Sequence, residues 1–158
     1  MHWINGTDLA RWADLRDCQE KIPEVLRRLV HSTITKPQRV EFRSGEGVQL
    51  PGWDGIVETT EGNSWVPVGV SCWEIGTGEP PKAKAGADYE KRKNDPLGQV
   101  PLQTTFVFVT PRRWAGKTDW ANKRRSEQHW ADVKVYDAGV RQGSILTSHG
   151  HIVFLLQP

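Results

Sequence analysis

Apolar residues recur every three to four positions through "TDLARWADLRDCQEKIPEVLRRLVHST" (7–33), where Ile22, Val25, Leu26, Leu29 and Val30 share one face. That spacing predicts a helix, capped by Thr7 or Asp8 and broken in two at Pro23, which starts the second piece. The period then changes. "KPQRVEFRS" (36–44) reads as a short strand, and "DGIVETT" (54–60) and "WVPVGVSCWEIG" (65–76) flank the turn-rich "EGNS" as a hairpin. Ile56, Val68, Val70 and Cys72 alternate with other residues, as strands with one packed face should. "KAKAGADYEKRKNDPLG" (82–98) predicts a polar helix stopped by Asn94, Asp95 and Pro96. "TTFVFVTP" (104–111) is a continuous apolar run, the pattern of a strand buried on both faces. "GKTDWANKRRSEQHW" (116–130) is a second charged helix, and "ADVKVYD" (131–137) a further strand. Helix, three strands, helix, strand, helix, strand is the order of an α/β fold with a mixed β-sheet flanked by helices.

Composition narrows the class. The 158 residues suit one domain, and 25% charged with 37% hydrophobic residues mark a globular chain. No apolar run reaches the length of a membrane helix, and the N-terminus lacks the apolar stretch of a signal peptide. Cys18 and Cys72 suit a reduced pair, so a cytoplasmic protein is expected, without membrane partners. After Arg141 the charged residues stop, which divides the chain into an α/β domain over 1–138 and an atypical tail over 139–158, read as truncated or shifted, with "HIVFLLQP" a candidate final strand.

Two acids carry the candidate chemistry. With the hairpin turn centred on Ser64, opposed residues have an index sum of 128, which sets Asp54 opposite Glu74. Opposed residues point to one face, their Cβ atoms roughly 5 Å apart. Two carboxylates so placed repel unless a cation lies between them, and Mg²⁺ (or Mn²⁺) takes such oxygen ligands while keeping several waters. An ion held there activates water and stabilises charge on a phosphate. The competing reading is an Asp in turn chemistry and a solvated Glu at a strand end. A nearby lysine would assist. Gly76, two positions after Glu74, has no side chain to offer, whereas Lys82 and Lys84 follow where a helix is about to start.

"GWDGIVE" (52–58), "VPVGVSCWEIG" (66–76), "KAGADYEKR" (84–92), "TFVFVTPRRW" (105–114) and "WADVKVYDA" (130–138) together resemble the PD-(D/E)XK nuclease superfamily. The closer similarity is to Mrr-like domains found at the N-termini of bacterial STAND-type antiviral ATPases. The resemblance implies a restriction-endonuclease-like core and a metal-dependent endonuclease acting on double-stranded DNA, as an effector of anti-phage defence. Its partners would be a STAND-type ATPase module or a second copy of itself. It matches Asp54 and Glu74 to the metal-binding acids, Lys84 to the basic residue with Lys82 as the fallback, and Glu24 to an acid of the first helix. The chain departs from the pattern at "EIG", where the lysine of the acid-x-lysine triplet is missing. A migrated lysine is consistent with activity; an absent one implies an inactive relative that binds DNA or a partner protein.

Basic residues supply candidate phosphate contacts: Lys91, Arg92 and Lys93 in one cluster, and Arg112, Arg113, Lys117, Lys123, Arg124 and Arg125 in another. Of these, Arg92, Arg112, Arg113 and Lys117 are expected to touch DNA, against the alternative of solvated helix faces. Trp53 and Trp73 flank the acids and would wall the site or hold its hairpin, while Trp114, Trp120 and Trp130 anchor helix to sheet. His149 and His151 lack the further ligands that zinc needs. Cys72 reads as a small buried residue, and the absence of a phosphate-cradling Gly-rich loop argues against ATP binding.

Overall fold

The computed structural model describes residues 6–44 and 51–139. Five strands form one sheet in the order β1-β2-β3-β4-β5: β1 Arg39–Phe42, β2 Gly55–Thr59, β3 Gly69–Ile75, β4 Thr104–Val109 and β5 Asp132–Tyr136. The first three pair antiparallel and the last three parallel. Among the described residues four α-helices accompany them: α1 Gly6–Ala13, α2 Arg16–Thr33, α3 Pro81–Asn94 and α4 Lys117–Ser126. This is the mixed sheet flanked by helices that the order of patterns predicts.

Strand alternation builds two cores. On one face Cys18, Ile22, Leu26, Leu29 and Val30 of α2 pack with Val57, Trp73, Val107, Val109 and Tyr136. On the other, Ala85 and Tyr89 of α3 and Trp120 and Ala121 of α4 pack with Cys72, Phe106, Phe108, Val133 and Val135. All six residues of β4 are buried, because a parallel strand between covered faces has no wet side. Each such apolar side chain contributes roughly 1.5–3 kcal/mol on burial. A charge at Val107, fully buried, would disrupt the sheet against α2.

Three sequence expectations are corrected. The helical break falls at Asp14–Leu15, where Leu15 is extended, and Pro23 lies buried inside α2. A helix tolerates such a proline by giving up one backbone bond, here the one its missing N–H would make to the Gln19 carbonyl. Neither Thr7 nor Asp8 precedes α1; both lie in its first turn. The second hairpin strand begins at Gly69 rather than Trp65, because Asn63 Oδ1 accepts the N–H groups of Trp65 and Val66, each at 2.8 Å, and holds that stretch as a turn. Val68 consequently stands outside the strand and is exposed. The candidate strand near the C-terminus, with His149 and His151, lies outside the described residues.

Candidate active site

Gly55 pairs with Trp73, Ile56 with Cys72 and Val57 with Ser71, so the hairpin has the expected index sum of 128. One step beyond these pairs, Asp54 and Glu74 come together at the same end of the sheet. Asp54 Oδ2 accepts the backbone N–H of Ile75 at 2.8 Å, which orients its carboxylate. A cleft of about 370 Å³ opens here, lined by Gln19 and Pro23 of α2, Arg43, Asp54, Ile75, Thr77, Gly78 and Lys84 of α3. Helices from both faces of the sheet therefore meet at the acid end.

Glu74 itself is buried, at 3% exposure. Burial, and next the charge of Asp54, push its carboxyl up to about 8, although a hydrogen bond from Arg92 opposes them. Arg92 is equally buried. Its Nε donates to Glu74 Oε1 and its Nη2 to the Gly52 carbonyl, and its guanidinium stacks 4.9 Å from the Trp53 ring centroid. One arginine of α3 thus ties together the strand of the second acid and the loop of the first.

Lys84 reaches the site by an unexpected path. A Cβ on Gly76 would lie 2.8 Å from Lys84 Cγ and 2.5 Å from Phe108 Cζ. The missing side chain at 76 is what lets the lysine stem cross there. Lys84 Nζ donates to Asp88 Oδ1 at 2.6 Å, one helical turn on, while Asp88 Oδ2 is buried without a hydrogen-bond partner. Burial raises the Asp88 carboxyl, with the Lys84 hydrogen bond acting against it. Lys84, Asp88 and Arg92, spaced four apart, make an alternating charged row along α3 that faces the two acids of the hairpin.

The remaining expected site residues fall elsewhere. Glu24 does not line the cleft; Arg27 and Arg28 bond its carboxylate and hold it down to about 2. Gln19 and Pro23, one turn apart, are the α2 residues that face the acids, and Glu24 is turned about 100° from Pro23. Lys82 lines a different surface, beside Glu90, Trp120 and Arg124. Arg92 is too buried to touch DNA in this arrangement. Arg112 is spent on joining segments, with Nε on the Thr77 carbonyl at 2.6 Å and Nη2 on Asp14 at 2.7 Å. Lys117 pairs with buried Asp137. Arg113 is exposed. Much of the second basic cluster is neutralised locally, Arg124 by Glu90 and Glu127, and Arg125 by Asp132.

Trp53 and Trp73 do not wall the cleft. They lie in opposite cores, where Trp53 Nε1 donates to the Pro96 carbonyl and Trp73 Nε1 to Ser71 Oγ. Trp114, Trp120 and Trp130 pack between α4 and the sheet as expected. Burial pushes the Cys18 and Cys72 thiols up to about 12, in keeping with inert core residues.

Among the described residues no group of three or more His, Cys, Asp and Glu is placed to hold one ion. Mg²⁺ needs only one or two carboxylates and retains water; Asp54 lines the cleft, while Glu74 beside it is buried and bonded to Arg92. Burial first and the charge of Asp54 second lift Glu74; an ion would relieve the second, and Arg92 competes with it for the same carboxylate. No family model, curated protein or solved structure matches the chain.

Proposed function

We propose that this chain is a metal-dependent DNA endonuclease that hydrolyses phosphodiester bonds. The observation that carries the reading is the path of Lys84, whose stem fills the space a side chain two positions after Glu74 would occupy. A lysine supplied from α3 stands in for the third member of an acid-x-lysine triplet, beside an acid pair in hairpin register. Asp54 and Glu74 would hold Mg²⁺ or Mn²⁺, which when bound supplies water activation and charge stabilisation at phosphorus. Asp54 is held in orientation by the Ile75 N–H. Lys84, held by Asp88, presents its ammonium group where it stabilises negative charge gathering on the phosphate oxygens. The setting we propose is a cytoplasmic effector of anti-phage defence, acting by self-association or with a STAND-type ATPase module; it rests on the resemblance of motifs alone.

A second reading has its own observation. The buried pair of Arg92 with Glu74 already neutralises the second acid, as a nuclease-like domain that only binds DNA or a partner protein would do. Supercoiled plasmid separates the two. Nicking with Mg²⁺ or Mn²⁺ that disappears in EDTA and in Asp54→Ala and Lys84→Ala supports hydrolysis. Intact plasmid under every metal, even with the chain dimerised through a fused tag, together with metal-independent DNA binding, supports the second reading.

A further inference from the structure

Asp88 Oδ2 is a buried carboxylate oxygen that no donor reaches. Native structures keep few such groups, because a desolvated acceptor without a donor is costly. Solvent does not relieve it, since Asp88 is 5% exposed, and its other oxygen already holds Lys84 Nζ at 2.6 Å. One turn further along α3 stands Arg92. An acid four positions before an arginine is the favourable order for a pair on one helix face. Arg92 nevertheless reaches away from Asp88, with Nε on Glu74 Oε1 and Nη2 on the Gly52 carbonyl, against the Trp53 ring. One guanidinium therefore has two buried carboxyl groups as neighbours and serves one of them.

The two positions differ in what they do to the cleft. On Glu74 the guanidinium occupies the carboxyl that a divalent cation shared with Asp54 would need. On Asp88 it would give the unpartnered oxygen its donor and leave Glu74 to the cation, whose charge repels a guanidinium that stays. Lys84 and Arg92 would then take one oxygen of Asp88 each. Gly52 is half-buried, so its carbonyl can accept from water once Nη2 leaves. Glu74 is buried and cannot be left bare in the same way, so without a cation it keeps the guanidinium.

We propose that Arg92 is a latch with two positions, on Glu74 when the acids hold no cation and on Asp88 Oδ2 when a divalent cation takes Glu74. The proposal rests on reading the cleft as a metal site and adds its regulation. A cation can drive the change because only one position leaves Glu74 to it. Mg²⁺ itself is the probe, titrated without DNA into isotopically labelled protein followed by NMR. The Ile75 N–H donates to Asp54 Oδ2, so its resonance reports cation binding. The Arg92 Nε–H resonance, identified by its absence from Arg92→Lys, reports the latch. Both should shift with one midpoint. Asp88→Asn, which removes the charge of the second position and leaves the Glu74 pair, should need about tenfold more Mg²⁺. In an Arg92→Met background Asp88→Asn should leave the Ile75 midpoint unchanged, because Asp88 acts on the cation only through Arg92. Arg92→Gln serves as that background if Arg92→Met does not fold.

An Ile75 shift beside an unmoved Arg92 resonance overturns the latch and keeps the metal site. Equal loss of affinity from Asp88→Asn in both backgrounds also overturns the latch, since the effect is then one of charge at a distance. No shift of either resonance at any Mg²⁺ concentration overturns the latch and the metal-dependent reading together. Both shifts, with the expected effect of Asp88→Asn, in a protein that leaves plasmid intact keep the latch and sink the nuclease reading.

Discussion

Alanine at position 76 would put a methyl carbon 2.5 Å from Phe108 Cζ and 2.8 Å from Lys84 Cγ, both well inside contact distance. The two neighbours can respond differently. Phe108 is fully buried between Trp114 and the rest of its core, so it yields only by straining the packing. Lys84 is about half exposed and can swing out, at the cost of its bond to Asp88. Overpacking of this kind costs roughly 1–3 kcal/mol. For a chain of this length, each kcal/mol moves the thermal midpoint by about 2–4 °C. Gly76→Ala should therefore melt several degrees below the wild type. Lys84→Ala removes one of the two clashing groups in advance. In a double-mutant cycle read by urea denaturation, the pair should cost less than the sum of its parts, by about 0.5–1 kcal/mol. Additivity within about 0.3 kcal/mol would mean that the lysine stem does not cross position 76. Lys84 would then not be the displaced third member of the triplet.

Breaking the buried pair of Arg92 with Glu74 should destabilise the fold from either side. Arg92→Leu leaves the buried Glu74 carboxyl, protonated below about pH 8, without its donor, a change of roughly 1–3 kcal/mol, while the double replacement Arg92→Leu, Glu74→Leu should recover much of that loss in urea denaturation. Stability should also carry the signature of Glu74. Its carboxyl is raised from 4.5 to about 8 in the fold, so the folded state keeps a proton that the unfolded chain has released between those values. This contribution is fully present below pH 4.5 and is lost as pH rises through 8. Urea midpoints across that window should fall with pH in the wild type and fall less in Glu74→Gln. A parallel decline in both proteins would place the titration elsewhere.

Local pattern determined a large part of this protein. The apolar run of β4 and the alternation of β2 are legible because a strand's side chains leave it on fixed sides. The hairpin register followed from the turn, since a pleated pair has few ways to align, and it brought Asp54 to Glu74. The first helix illustrates the boundary of such reasoning. Its apolar face was legible, yet the break lies at Asp14–Leu15, where Leu15 is extended, and Pro23 is accommodated inside α2.

Tertiary structure alone decided which charges are available. Arg92 meets Gly52 across 40 positions, and Arg112 meets Asp14 across 98. Nothing in a run of basic residues distinguishes a cation buried against a strand from one presented to solvent, because burial depends on which helix face the core selects. The same holds for the cleft. Gly76 could be read as a missing lysine, but only the approach of α3 shows that Lys84 runs through the gap. Chain-local periodicity specified the elements. The charges at their meeting point were sorted by packing between elements, where distant residues exclude water and compete for the same few partners.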